Sequence, residues 1–326
     1  MERQQGENEL LLTCRDEGAG VCILRCASAD PVIRVPDAVL DRPVVSLGRY
    51  ALSQRDPELT GAGLFQVRVT GGNGDRPVVH DAGGLVHVLL PASLRRVGDY
   101  AFYNCRSLAR LSLSGGVEEL GGDALMNCAA LRRIDLTLDE NGKSCLQGLL
   151  AACSTDLEVR LTTPRGKAVR SFPAYREELE LVRSAHIFQR RIQGSGYAYR
   201  QCFRDGVPDL PQYDGCFSRL LEGHDYPAAC RVALDRLRWP LALSDAARDA
   251  YLAFLREHGG LAASELLDRN DGDGLAFLLE LKVLSPAALT AAGDAARQAG
   301  RTGALALLLE ALRPAAAPGR HKSFDL

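Results

Sequence analysis

Apolar positions in the first half of the chain follow two interlocked spacings. Val88 and Leu90 flank Leu89 in the alternation of a short strand. The next apolar positions, Leu94, Val97, Ala101 and Phe102, fall three or four apart, which predicts a turn of helix or 3₁₀ returning the chain. The pattern then repeats. Residues 89–111 and 112–134 are one 23-residue unit written twice, with Leu94 answered by Val117, Val97 by Leu120, Gly98 by Gly121 and Ala101 by Ala124. The triplet Leu85, Val88, Leu90 returns as Leu108, Leu111, Leu113 and as Leu131, Ile134, Leu136. A fixed period of this length is the mark of a solenoid, in which each unit buries its apolar face against its neighbours.

The unit extends in both directions. Cys128, Ile134 and Leu136 recur as Cys153, Val159 and Leu161. Upstream, Val35-Pro36 stands for Leu90-Pro91, and Leu47-Gly48-Arg49-Tyr50-Ala51 for Val97-Gly98-Asp99-Tyr100-Ala101. Gln66–Val69 fits a degenerate rung, followed by a glycine-rich turn at 71–74. Gly98 and Gly121 are expected to permit a backbone bend. Cys105, Cys128 and Cys153 are expected to stack as a ladder of small buried groups, with Asn104 and Asn127 bonding loop backbone.

After about residue 165 the spacing changes. Glu177–Gln193 reads as an amphipathic helix with Leu181, Ala185, Phe188 and Ile192 on one stripe. Beyond the Pro-containing joint at 207–211, helices are expected from Asp225 to Arg238, from Ser244 to a stop at Gly259-Gly260, and at 261–268, 273–282, 286–299 and 303–313. Leu275–Glu280 recurs as Leu305–Glu310, so this half is expected to be an all-α helical-repeat domain. The expected domains are a solenoid at 1–165, a helix and joint at 166–210, helical repeats at 211–314 and a disordered tail at 315–326, closing on Phe324-Asp325-Leu326.

The string LPxxLxxVGDYAFYNCxxLxxL resembles the bacterial BspA-type leucine-rich repeat family over residues 30–162. The resemblance implies an α/β solenoid with a parallel sheet on one side, used to bind proteins. Many members of the family are secreted or surface-anchored adhesins. Residues 275–310 resemble a degenerate ankyrin helix pair without the usual TPLH start, which Ser285-Pro286 replaces.

Composition narrows the function. A formal net charge of −2 argues against a general polyanion binder. The N-terminus shows no basic stretch ahead of a long apolar run, and no 18-residue apolar segment exists, so no membrane span is expected. The ten cysteines are expected to be reduced thiols in a cytoplasmic protein, without disulfides. Cys22 and Cys26 with Cys14 lack a fourth ligand nearby in sequence, so no metal site is assigned. Asp268–Asp273 departs from a calcium loop, with Gly272 and Asp273 where an acidic or amide residue and a glycine are required; capping by Asp271 or Asp273 is expected instead. The chain carries no nucleophile-elbow, zincin or Walker motif, and no cofactor is assigned.

Two surfaces remain as candidates. Strand alternation turns Arg34, Arg68, Leu89, Ser112, Asp135 and Arg160 outward, and one step earlier Gln66, His87, Arg110, Arg133 and Glu158. Arginine in such rows suits a protein partner with an acidic patch. The second is the joint at 186–204, where Arg190, Arg191, Arg200 and Arg204 stand among Phe188, Tyr197, Tyr199 and Phe203. Its aromatics read as hinge packing and its arginines as a candidate anion contact; near-neutral charge and neighbouring Glu177, Glu178 and Glu180 disfavour nucleic acid. The reading is a non-catalytic interaction scaffold or adaptor. Its alternatives are a secreted or surface adhesin and a regulatory subunit of an enzyme complex.

Overall fold

A computed structural model of the chain describes residues 2–60, 62–71, 78–182 and 187–312. They form two compact units, Met1–Arg219 and Leu220–Leu326. The segment 166–210 therefore lies within the first unit. The expected tail and Gly72–Gly74 lie outside the described residues.

The first unit begins with β1 (Glu2–Gln5), β2 (Leu10–Asp16), β3 (Val21–Ala27), β4 (Val32–Arg34), β5 (Ala38–Val39), β6 (Arg42–Leu47) and β7 (Leu64–Thr70). The repeats follow as β8 (His87–Leu89), β9 (Arg96–Val97), β10 (Arg110–Ser114), β11 (Glu119–Leu120), β12 (Arg133–Thr137), α1 (Leu146–Ala151) and β13 (Leu157–Thr163), closed by β14 (Gly166–Phe172). One sheet runs β14-β13-β12-β10-β8-β4, all parallel except the final hairpin β13–β14. Its inward positions Ile33, Val88, Leu111, Ile134 and Val159 stack in one register and are at most 3% exposed.

The other sheet runs β1-β7-β2-β3-β6-β9-β11, and in it Leu47, Val97 and Leu120 stack in parallel register. The return of each rung was expected to be helical. In the two central rungs it is instead a two-residue strand followed by turns, and only α1 is a helix. Left-handed residues break the helical run: Tyr100 and Asp123 at φ 55° and 53°, then Asn104 and Asn127 at 61° and 64°. The asparagines do not serve the loop backbone with their side chains as expected. Asn127 Nδ2 donates to Asn104 Oδ1 at 2.7 Å, one rung to the next. The thiols do form a buried ladder, Cys105 donating to the Leu52 carbonyl and Cys128 to that of Phe102.

Gly98 and Gly121 are required by close approach, not by an unusual φ. A Cβ on Gly98 would stand 2.7 Å from the Gly48 carbonyl carbon, and one on Gly121 would stand 2.3 Å from the Asp99 nitrogen.

Gln66–Val69 is not a rung of the parallel ladder. It lies in β7, which pairs with β1 and β2. β4 pairs directly with β8, Ile33 against Val88, which leaves no place between them.

The predicted helix at 177–193 is a hairpin, β15 (Arg176–Val182) with β16 (Ile187–Gln193), pairing Glu177 with Ile192 and Glu178 with Arg191. Leu179 and Leu181 also alternate with Glu178 and Glu180, and that two-residue period is the one the fold uses. The acidic run on one strand meets the basic run on the other, with an Arg190–Glu177 ion pair and Gln193 donating to Glu178 at 3.2 Å. Ile192, placed on the buried stripe, is 39% exposed, and Ala185 lies outside the described residues.

A cap completes this unit: α2 (Gly196–Arg200), β17 (Phe203–Arg204), β18 (Val207–Pro208) and α3 (Leu210–Gly215). The unit boundary falls within α4 (Phe217–Glu222).

The second unit contains α5 (Tyr226–Arg238), α6 (Asp245–Asp268), α7 (Gly272–Glu280), α8 (Pro286–Gln298) and α9 (Thr302–Leu312). Side chains at four N-caps accept backbone N–H groups: Asp225 from Ala228, Ser244 from Ala247, Asp271 from Gly274 and Ser285 from Ala288. The expected stop at Gly259-Gly260 appears as a break one residue earlier: His258 is non-helical (φ −113°, ψ 19°), and two helical segments meet across this kink before the run ends at Asp268. Gly259 admits Leu284, whose Cδ2 would lie 2.7 Å from a Cβ there.

Candidate functional site

The outward positions of the parallel sheet form two rows across the rungs. Val32, His87, Arg110, Arg133 and Glu158 make one; Arg34, Leu89, Ser112, Asp135 and Arg160 make the other. Five of the six arginine and histidine positions predicted for this face, Arg34, His87, Arg110, Arg133 and Arg160, are thus brought together. Arg68 is not among them. It lies on β7 in the other sheet, paired with Glu9 at 3.4 Å, and Gln66 is on the same strand.

The rows are internally paired. Asp135 sits at the centre, accepting from Arg133 Nε at 2.9 Å and Nη2 at 2.7 Å, from Arg110 Nε, and from Ser112 Oγ at 3.3 Å. His87 Nε2 is 2.9 Å from Ser112 Oγ. Arg160 meets Glu158 at 2.5 Å and Arg34 meets Glu7 at 2.8 Å. Burial pushes the Asp135 carboxyl up, but hydrogen bonds from Arg133 and Arg110 outweigh it and hold its pKa below the usual carboxylate range. Burial, and then the charge of Arg110, push the His87 imidazole down. The face offers four guanidinium groups against Asp135, Glu158 and Glu7. At its β4–β8 end it offers the apolar Val32, 45% exposed, beside the half-buried Leu89.

The joint does not form one surface. Arg200 and Tyr199 are interior, 2% and 0% exposed. Arg200 donates to the carbonyls of Cys153 at 2.7 Å, Thr155 at 2.6 Å and Gly196 at 2.9 Å, and also to that of Pro173. This cation ties α2 to the last rung, so it cannot serve as an anion contact. Arg190 pairs with Glu177 and lies over the Tyr197 ring, Arg191 is exposed on β16, and Arg204 meets Asp209 at 2.9 Å. His186 lies outside the described residues.

The turns also carry an aromatic ridge. Tyr50 and Tyr100, equivalent in successive rungs, stack at 5.2 Å, with Tyr103 edge-on to both. The Arg49 guanidinium lies 5.1 and 5.4 Å from the two stacked rings. The equivalence of Tyr50 and Tyr100 in the repeat alignment was the available signal.

The cysteines are all free thiols. Burial pushes Cys14, Cys26 and Cys105 up to about 12. Among the described residues no group of three or more His, Cys, Asp or Glu side chains is placed to hold a metal ion. No described helix is long and apolar enough to cross a membrane.

The family comparison agrees with the repeat geometry. Residues 80–168 match a family model described as "BspA type Leucine rich repeat region (6 copies)". No curated protein matches the chain. A leucine rich cell surface protein from Faecalibacterium prausnitzii A2-165 is similar at 20% identity and a TM-score of 0.28, over 50% of this chain and 43% of that one. The chain thus spans less than half the length of that relative. A leucine rich repeat protein from T. pallidum is similar at 19% identity and a TM-score of 0.20, over 39% of this chain and 71% of that one. With their strands stacked in register and their turns repeated, residues 80–168 are a BspA-type leucine-rich repeat region.

Proposed function

We propose that the first unit is a non-catalytic protein-binding module whose parallel-sheet face engages an acidic surface on a partner protein. The observation that carries this is the in-register row His87, Arg110, Arg133, with Arg34 and Arg160 beside it, on a rigid ladder. Ion pairs between partly exposed groups are worth about 0–1 kcal/mol each, so a partner carboxylate can replace an internal one at little cost. The apolar Val32 and Leu89 provide the desolvated contact that arginine rows alone lack. The recurrence of Leu275–Glu280 at Leu305–Glu310 falls on α7 and α9, which supports an ankyrin-like helical repeat as a second binding element of the adaptor. Ten free thiols support a reducing, cytoplasmic setting.

The test is affinity capture from host extract with the wild-type chain and with an Arg110→Glu/Arg133→Glu double variant of matching circular dichroism. Loss of a stoichiometric partner in the variant supports the reading. Equal retention by both overturns the sheet face as the site.

A further inference from the structure

Cys202 and Cys216 differ from the other cysteines of the chain in facing each other. Their Sγ atoms are 3.6 Å apart, in a site where the two residues are 3% and 8% exposed. Cys105 and Cys128 meet only carbonyls of neighbouring rungs, whereas Cys202, which also lies 3.3 Å from the Ala198 carbonyl, has a second sulfur within reach. The backbone on both sides of the pair is anchored. The Cys202 carbonyl accepts from Asp209 N at 2.9 Å, and Cys216 N donates to the Tyr213 carbonyl at 3.1 Å. Tyr213 reaches back to the Ser171 carbonyl at 2.5 Å, and its ring packs edge-on against Tyr199 and Phe172. The two thiols therefore sit at the root of the cap that closes the last rung.

We propose that Cys202 and Cys216 are a redox-modification site, a dithiol that closes to an intrachain disulfide by exchange with a small-molecule disulfide such as oxidised glutathione. A disulfide needs the sulfurs about 2.05 Å apart, so each must move by less than about 1 Å, within reach of a χ1 adjustment. In the first step the Cys216 sulfur attacks one sulfur of the oxidant, a mixed disulfide forms, and one glutathione thiolate leaves. In the second step the Cys202 sulfur attacks the Cys216 sulfur and displaces the second glutathione. The dithiol gives up two electrons and two protons, and the oxidant is reduced to two thiols. Cys216 is suited to the first attack, since the hydrogen bond from Cys202, aided by the Arg219 charge, outweighs burial and lowers its pKa, while Cys202 is pushed up. The exposed Gly215 and Ser218 on either side of Cys216 give the oxidant its approach. The bridge fixes α3 to the end of α2 and so locks the cap in place.

The experiment incubates the full folded chain with oxidised glutathione, quenches by alkylation in denaturant so that the buried thiols also react, and maps peptides without reduction. The expected result is a fall from ten titratable thiols to eight, a mass lower by two hydrogens, and a single cross-linked peptide joining Cys202 to Cys216. The oxidised chain should also melt several degrees higher than the reduced chain. A Cys216→Ser variant should keep its nine thiols. Because the map uses the wild-type chain, the test stands even where that variant misfolds. Persistence of ten thiols, a glutathione adduct resting on either cysteine, or bridges joining other cysteines overturns the proposal.

Discussion

Replacing Gly121 with alanine tests the rung-on-rung packing at its tightest point. The new Cβ would stand 2.3 Å from the Asp99 nitrogen and 2.4 Å from the Gly98 carbonyl carbon, roughly 1 Å inside ordinary contact. Both are backbone atoms, so no rotamer change can relieve the clash and the rungs must separate. Overpacking of this kind costs about 1–3 kcal/mol. Separation also weakens the bonds from Gly121 N to the Val97 carbonyl at 2.7 Å and from Gly122 N to Asp99 Oδ1 at 2.8 Å. Those add about 1 kcal/mol each, against a gain of about 0.5 kcal/mol from a stiffer unfolded chain. The expected loss is about 3 kcal/mol. Gly122→Ala is the control, since its Cβ meets only Asp99 Oδ1 at 3.8 Å, and it should stay within about 0.5 kcal/mol of wild type. Urea unfolding followed by far-ultraviolet circular dichroism measures the loss. The single tryptophan, Trp239, lies in Leu220–Leu326 and reports the other unit separately. Equal stability of the Gly121→Ala chain and wild type, or a larger loss in Gly122→Ala, would refute the steric argument.

Three further outcomes follow from buried or paired groups. Arg200→Met removes donors from four carbonyls at the cap and should destabilise the first unit by about 3 kcal/mol in the same assay, and Arg200→Lys, lacking the fork, should recover less than half. Asp135 has a folded pKa below its unfolded value of about 3.9, so its contribution to stability is present above that value and lost as pH falls through the lower folded one. Melting temperature against pH in acid should therefore fall less steeply for Asp135→Asn than for wild type. Asp271→Ala removes the cap on the Gly274 amide and should cost about 1 kcal/mol, read as an earlier urea midpoint in Trp239 fluorescence.

The repeat was legible because stacking demands the same residue at the same height. Val97 over Leu120 and Gly98 over Gly121 reported the ladder directly, and strand alternation placed Arg110 and Arg133 on the outer face. Reasoning by alignment failed where the chain leaves the period. Gln66–Val69 has the alternation of a rung, but its partners are strands at the N-terminus, a non-local pairing that no local pattern encodes. The 176–193 hairpin carries apolar residues that fit either spacing, and cross-strand charge pairing decided between them. From sequence Arg200 reads as one of the joint's candidate anion contacts, because arginine is seldom fully buried. Only the convergence of carbonyls from 153, 155, 173 and 196 makes its interior position tenable. The asparagines were seen as hydrogen-bonding groups, whereas their left-handed backbone is what shapes the turn.

The register between β10 and β12 has a consequence for the length of the array. Each residue of Arg110–Ser114 faces its equivalent in Arg133–Thr137, so the join between these two rungs is a join between like surfaces. Such a join can be opened and a further unit spliced in. A duplicate of residues 112–134 inserted after Ile134 would find the same neighbours on both sides and leave the β14 end and the β4 end untouched. It would lengthen the outer face by one strand spacing, about 4.8 Å, and add another arginine to its row. Extent of surface is thus a quantity this chain can change by copying itself, without redesigning either end.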